Sequence, residues 1–261
     1  MPQLSALMTV MIAAVRKAGR ALARDFGEVE NLQVSKKGPS DFVTAADVKA
    51  EEILFAELSK ARPGYGFLLE ERGAVDGTDK SHRFIIDPLD GTLNFMHAIP
   101  HFAISAALER DGELVAGVVY DVIKDELFQA EKGRGAFVNE RRLRVSARTK
   151  LADSVIATGI PWNGKDGHDV FVKELFKVMG AVAGVRRFGS AALDLAYVAA
   201  GRCDGFWERD LKPWDIAAGV VLVREAGGFA KEIDGGDFMK TGHVAAGNET
   251  LLGPLLKTLK A

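Results

Sequence analysis

Arg83-Phe84-Ile85-Ile86 is a short apolar run that ends abruptly in Asp87-Pro88-Leu89-Asp90-Gly91-Thr92. A strand emptying into a carboxylate-rich turn is where binding and catalytic sites tend to be built. Proline fixes its own φ and disfavours helix at the preceding residue, so the strand is expected to stop at Asp87 with that carboxylate projecting from its end. Three residues on, Asp90 can return its carboxylate to the same point while the Leu89 carbonyl faces inward, giving hard oxygen ligands of the kind Mg2+ takes. Gly91 and Thr92 then offer backbone N–H groups at the start of a helical turn, an anion site beside a cation site. Taken alone, this D-x-x-D spacing is explained more simply by an ordinary Asx-rich turn.

The rest of the chain has to provide a frame for that turn. With 261 residues, 48% of them apolar and 27% charged, it can build one large domain or two packed halves around a real core. Leu4, Leu7, Met8, Met11, Ile12, Val15, Leu22 and Phe26 recur at helical spacing, and a second helix is predicted from Thr44 to Ala61, ended by Arg62-Pro63-Gly64. Between them, Val34 to Asp41 is polar and rich in breakers and reads as an exposed loop whose lysines are either solvated or able to close over an anion. Residues 102 to 145 read as antiparallel hairpins with turns at Asp111-Gly112, Ile123-Lys124-Asp125 and Gly133 to Gly135. From about residue 151 strands and helices alternate: strand Ser154 to Thr158, helix Asp169 to Val182, strand Val185 to Phe188, helix Ala191 to Ala200, strand Asp204 to Glu208, helix Asp215 to Ala226, then two short strands and a last helix. The expectation is an α/β (α+β) protein of stacked helix and sheet layers in two packed halves, 1–150 and 151–261.

Charge and cysteine content narrow the function class. Lys plus Arg number 34 against 36 Asp plus Glu, so there is no global electrostatic footprint for nucleic acid or an anionic membrane. The segment Leu4 to Val15 has no preceding basic residue and is broken by Ser5 and Thr9, unlike a signal peptide, and no stretch is long enough to span a bilayer. A single cysteine, Cys203, fits a reducing compartment and excludes a cysteine zinc site, so a cytoplasmic location is expected.

Other acids stand at predicted element ends. Glu70-Glu71 follows the strand-like Gly66-Phe67-Leu68-Leu69, and Asp215 opens an apolar helix after Pro213-Trp214, where an acid also serves simply as an N-cap worth about 1 kcal/mol. His82, His97, His101, His168 and His243 show no zinc-type pairing, and there is no Gly-x-Ser-x-Gly elbow or phosphate-binding P-loop. Gly189-Ser190-Ala191 reads as a tight helix start lining a pocket rather than as a nucleophile.

Phe84-Ile85-Ile86-Asp87-Pro88-Leu89-Asp90-Gly91-Thr92-Leu93-Asn94-Phe95-Met96-His97 resembles the first signature of the inositol monophosphatase family. Trp214-Asp215-Ile216-Ala217-Ala218-Gly219, continuing to Arg224-Glu225-Ala226-Gly227-Gly228, resembles the second, and Thr44-x-x-Asp47 and the acidic pair stand in the right order. The similarity covers essentially the whole chain. It implies a layered αβαβα sandwich and a Mg2+-dependent, lithium-sensitive phosphomonoesterase acting on inositol monophosphate, with two to three ions per site and a homodimeric habit. By the same resemblance, Glu70, Asp87 and the Leu89 carbonyl hold one ion and Asp87, Asp90 and Asp215 a second, with Glu70 also meeting a weaker third. Thr92 and Asp47 would orient and deprotonate the attacking water, Gly91 and Thr92 would hold phosphate oxygens, and Asp90, Ala191 and Glu208 would meet the alcohol. Leu69 departs from the glycine usual before the acidic pair, which bears on the local backbone path.

The substrate expected is a small phosphorylated polyol, because Glu208 matches a polyol-binding acid; its bland alternative is a solvated acid in Trp207-Glu208-Arg209-Asp210. Relatives hydrolyse fructose 1,6-bisphosphate, histidinol phosphate or 3′-phosphorylated nucleotides with the same metal core. A reading from another class is a bacterial RNA-linked regulatory role, with Arg141, Arg142, Arg144, Arg148 and Lys150 facing a partner. Without aromatic interleaving, that run reads first as a solvated hairpin edge.

Overall fold

The computed structural model describes residues 4–28, 34–38 and 41–260. Helix α1 (Ala6–Phe26) starts at Ser5, whose hydroxyl oxygen accepts the Met8 N–H at 3.0 Å, and its apolar stripe from Met8 to Leu22 is buried. Strands β1 (Val34–Gly38) and β2 (Asp41–Thr44) pair antiparallel, which corrects the expected loop over Val34 to Asp41. Gly38 pairs with Asp41, so two of the residues that had suggested a loop are themselves paired. Pro39 and Ser40, and the side chains of Lys36 and Lys37, lie outside the described residues. Thr44 caps α2 (Ala45–Ala61): its hydroxyl oxygen accepts the Ala46 N–H at 3.1 Å, and Asp47 Oδ2 accepts the Thr44 N–H at 2.9 Å.

An eight-stranded sheet follows, built from β3 (Tyr65–Leu69), β4 (Gly73–Val75), β5 (Asp79–Asp90), β6 (Ala103–Arg110), β7 (Glu113–Asp121), β8 (Glu126–Glu131), β9 (Gly135–Val138) and β10 (Arg141–Arg142). Its order is β10-β9-β8-β7-β6-β5-β3-β4, antiparallel throughout except where β3 runs parallel to β5. Strand β5 does not stop at Asp87. It continues through Pro88 to Asp90 with a register shift, Asp87 facing Ser105 and Asp90 facing Ala103, so one residue is extra. A bulge tolerates proline because the extra residue owes no ladder hydrogen bond, and it re-aims the side chains on either side of it. The short α3 (Thr92–Met96) begins at once, with Gly91 at φ 101° as its left-handed N-cap.

The second sheet has the order β12-β11-β13-β15-β14, from β11 (Val155–Thr158), β12 (Gly184–Arg186), β13 (Gly205–Glu208), β14 (Phe229–Glu232) and β15 (Val244–Gly247). Its first three strands are parallel and the last two are added antiparallel. Helices α5 (Ala191–Ala199) and α6 (Pro213–Glu225) lie between the sheets, and α4 (His168–Met179) and α8 (Glu249–Lys260) cover the outer face, with the short α7 (Phe238–Thr241) near β14. Helices α1 and α2 cover the outer face of the first sheet, which completes the five layers αβαβα around three apolar cores. The two central helices approach closely because Gly219 leaves room: a Cβ there would lie 2.5 Å from Leu195 Cβ. Helix α6 starts at Pro213, where a missing N–H costs nothing, so Asp215 sits inside the first turn and not at the cap the sequence suggested. Among the described residues, no helix is long and apolar enough to cross a membrane.

Candidate active site

Strand β3 ends at Leu69 opposite Ile86 of the parallel β5, so Glu70 leaves one strand next to Asp87 on the other. The Glu70 N–H donates to the Ile86 carbonyl at 3.2 Å. Buried Leu69 completes β3 at this point, so the strand keeps its path without the glycine. Helix α2 braces the turn from behind: Glu51, buried one turn beyond Asp47, accepts the Glu71 N–H at 2.8 Å. Asp87 Oδ1 accepts the Leu89 N–H at 2.8 Å, so an Asx turn is indeed present, and it is the device that gathers the oxygens. The Thr92 hydroxyl stands 3.1 Å from Asp47 Oδ1 and 3.0 Å from the Leu89 carbonyl oxygen, one proton facing two acceptors.

The second half of the chain closes the site. Asp90 Oδ2 accepts the Ser190 hydroxyl at 2.6 Å and the Ala192 N–H at 2.7 Å, which ties the end of β5 to the N-terminus of α5. Ser190 also caps α5, its oxygen accepting the Leu193 N–H at 3.3 Å, so it is a pocket-lining cap as the sequence suggested. Asp215 Oδ2 accepts the Lys212 N–H at 2.7 Å, and the Ser105 hydroxyl donates to the Trp214 carbonyl at 3.0 Å, fixing α6 against β6. The Asn94 amide donates from α3 to the His101 carbonyl, just before β6, at 2.8 Å and to the Phe188 carbonyl, just before α5, at 2.9 Å.

The result is a cavity of about 340 Å³ lined by Glu70, Asp87, Leu89, Asp90, Gly91, Thr92, Ala191, Glu208 and Asp215. Nine of the ten residues singled out in the sequence therefore share one wall, and the tenth, Asp47, stands behind Thr92 and reaches the cavity through its hydroxyl. Glu208 is half-buried at the end of β13 and not in an open charged loop. The sequence reading missed Asp194, which lines the same cavity. Its signal was present: an acid inside the apolar helix Ala191–Ala199, three residues after Ala191 and so on the same face.

Gathering acids has an electrostatic cost. Burial first, then the charges of Glu70, Asp90 and Asp215, push the Asp87 carboxyl well above its ordinary range. Burial and Asp90 push Asp215 up to about 7, and burial with Asp215 and Asp90 pushes Glu208 up to about 8. Asp90 rises to about 6 by burial although Ser190 and the α5 amides stabilise its charge, and Asp47 also rises to about 6, by burial. Like charges gathered this closely favour the protonated form of at least part of the set when no cation is present. A divalent cation relieves the same repulsion, and a set of carboxylates plus one peptide carbonyl is the donor chemistry of Mg2+.

A different acidic group, Glu232, Asp234 and His243, brings its oxygens and ring nitrogen within 4.8 Å of one another, a pairing not read from the sequence. Arg209 already fills it, donating to Asp234 Oδ2 at 2.6 Å and contacting His243 Nδ1 at 3.1 Å, while Glu232 accepts the N–H groups of Asp234 and Gly236 and organises the turn between them. Cys203 is buried, and burial pushes its thiol up to about 12, an inert residue. Arg141 and Arg142 form the exposed edge strand of the large sheet, the solvated hairpin edge expected.

Comparison with known proteins places the whole chain among characterised relatives. The sequence profile of the inositol monophosphatase family matches residues 3–261. An inositol-1-monophosphatase of Mesorhizobium japonicum is 63% identical over 98% of this chain and 97% of its own length. The Nus factor SuhB of Escherichia coli is 42% identical over 97% of this chain and 96% of its own. The crystal structure of the extragenic suppressor protein suhB from Bartonella henselae superposes with a TM-score of 0.95 at 60% identity, covering 98% of this chain and 99% of that one. In sequence and in layered fold, the chain belongs to the inositol monophosphatase family.

Proposed function

We propose that this chain is a Mg2+-dependent phosphomonoesterase that hydrolyses inositol monophosphate to inositol and phosphate. The observation that carries the reading is the convergence of Glu70, Asp87, the Leu89 carbonyl, Asp90 and Asp215 on one cavity, with Thr92 and Asp47 hydrogen-bonded at its edge. The name of the Mesorhizobium relative supports the substrate. Two ions are assigned, one to Glu70, Asp87 and Leu89 and one to Asp87, Asp90 and Asp215, with a third, weaker ion also meeting Glu70. When bound, Mg2+ supplies a lowered water pKa and charge neutralisation for the departing alkoxide.

The protein's own groups do the rest. Thr92 Oγ1 orients the attacking water and takes a proton from it as its own hydroxyl proton passes to Asp47 Oδ1, the acceptor 3.1 Å away. The N–H groups of Gly91 and Thr92, at the start of α3, hold phosphate oxygens. Asp90, Ala191 and Glu208 meet the alcohol. Water attacks in line, so phosphorus inverts and no phosphoenzyme forms. Trapping a covalent phosphoprotein during turnover would contradict this. The direct test is phosphate release from inositol 1-phosphate, fructose 1,6-bisphosphate, histidinol phosphate and a 3′-phosphonucleotide with and without Mg2+. Release that is indifferent to chelation would overturn the reading.

The same proposal extends to lithium inhibition, a cytoplasmic location and a homodimer. Val172, Phe176 and Met179 form an exposed apolar stripe on α4, Phe176 being 75% exposed, which supports a dimer face. Light scattering of Phe176→Asp against the native chain tests it. A second reading, a regulatory binding role, is favoured by the relative named as a Nus factor. Retention of the cellular role by Asp87→Asn would favour it over catalysis.

A further inference from the structure

Helix α5 presents a carboxylate that the reaction just described does not use. Asp194 is 1% exposed and lines the catalytic cavity, and its Oδ1 has no hydrogen-bond partner. A buried carboxylate oxygen with no donor is costly, and native structures that keep one usually have a ligand or a task for it. Asp194 is also the only charged residue of α5, in a helix whose other buried positions are Ala, Leu, Val and Tyr. An apolar residue would serve packing at that position better.

Its position says what the missing donor is. Ala191 and Asp194 lie three residues apart on one helical face, and both border the cavity together with Glu208. Glu208 and Asp90 are the negative charges that face Asp194, and the exposed Arg187 at the cavity wall is the positive one. Asp194 therefore borders the part of the cavity formed by Ala191, Glu208 and Asp90, the residues assigned above to the alcohol part of a substrate. An alcohol rich in hydroxyl groups brings O–H donors to that wall, whereas a second phosphate or carboxylate there would face three carboxylates.

We propose that Asp194 is a specificity-determining contact, accepting a hydroxyl of a polyhydroxylated leaving group through the oxygen that the protein itself leaves without a donor. The proposal rests on the phosphomonoesterase reading above and adds a residue to its alcohol subsite. A site that hydrogen-bonds a substrate hydroxyl discriminates strongly against an alcohol lacking it. Asp194 thus favours cyclitol or sugar phosphates over simple or aryl phosphates.

The test measures kcat and KM of the Mg2+-loaded native protein, Asp194→Ala and Asp194→Asn on two substrates, inositol 1-phosphate and phenyl phosphate, whose leaving group carries no further hydroxyl. For Asp194→Ala the expected result is a loss in kcat/KM of about tenfold or more on inositol 1-phosphate, mostly through KM, as for a hydrogen bond to a charged group. Phenyl phosphate should be turned over within about twofold of the native rate. The thermal midpoint should not fall, because the variant removes an acceptor that had no partner. Asp194→Asn keeps one acceptor oxygen and should lie between; it carries the same substrate ratio if the alanine variant does not fold. Equal losses on both substrates, or an unchanged inositol 1-phosphate rate in a folded variant, would overturn the assignment. A native protein inert toward both substrates would instead overturn the parent reading.

Discussion

Gly159→Ala displaces the Glu208 carboxylate without changing its chemistry. Gly159 follows β11 and Glu208 ends β13, two parallel neighbours with Thr158 opposite Trp207. A Cβ on Gly159 would lie 1.9 Å from Glu208 Oε1, 2.1 Å from its Cδ and 2.3 Å from Oε2. Real Cβ atoms keep at least 3.0 Å from such neighbours, so the carboxylate must retreat by about 1 Å or more. The backbone at Gly159 is not left-handed, and alanine is acceptable there on conformational grounds. A misplacement of about 1 Å in a positioning group can cost up to about 10²-fold in rate. That loss should appear in kcat/KM for inositol 1-phosphate and be nearly absent for phenyl phosphate, which offers Glu208 no hydroxyl. The entropic gain of glycine to alanine, about 0.4–1 kcal/mol, partly offsets the displaced carboxylate, so the thermal midpoint should shift by only a few degrees. Glu208→Gln measured in parallel should lose activity on the same substrate. A Gly159→Ala protein with native activity on inositol 1-phosphate and a crystal structure showing Glu208 displaced would refute the contact. Losses on both substrates would show that the strand end, and not the carboxylate, had been disturbed.

Asp47→Asn should lower kcat by about 10²- to 10⁴-fold, the range for a general base, with KM little changed; near-native kcat would remove Asp47 from the proton path. Asp87→Asn should abolish Mg2+-dependent turnover and yet raise the thermal midpoint of chelator-treated protein, because it removes a buried charge repelled by Glu70, Asp90 and Asp215. A lower midpoint under chelation would contradict the electrostatic account. His101 supplies an acid-sensitivity prediction: burial, then Lys124, hold its ring down to about 4 from 6.5. Between those values the unfolded chain binds a proton that the folded chain refuses, so its contribution to stability is present above 6.5 and lost as pH falls toward 4. Denaturant midpoints across that window should decline less for His101→Phe, which keeps a ring against Phe188 and Tyr197.

Where one periodicity governs a segment, the sequence was enough. The stripe from Met8 to Leu22 and the apolar runs of β6 and β7 mark the buried face of α1 and the two-sided burial of the central strands directly. The hairpin β1–β2 was hidden because polar and breaker residues dominate its composition, and pairing between partners three to ten residues apart decides between loop and hairpin. Pro88 misled for a related reason: a proline ends a regular strand, but in a bulge its missing N–H is harmless. The carboxylates at element ends were legible because short polar runs interrupt apolar ones. Asp194 stands out in the sequence only as a lone acid in an apolar helix; the shared cavity with Asp90 at the end of β5 and Glu208 at the end of β13 is what gives it a role.

The hydrogen bonds from Ser190 and Ala192 to Asp90 reach across about a hundred residues of chain. A ribosome therefore delivers Glu70, Asp87 and Asp90 well before the groups that orient them, and Asp215 later still. Turnover is withheld until the last third of the polypeptide has docked, and a truncated product is inert instead of partly active. For the same reason, phosphate release reports the fraction of molecules that have finished folding.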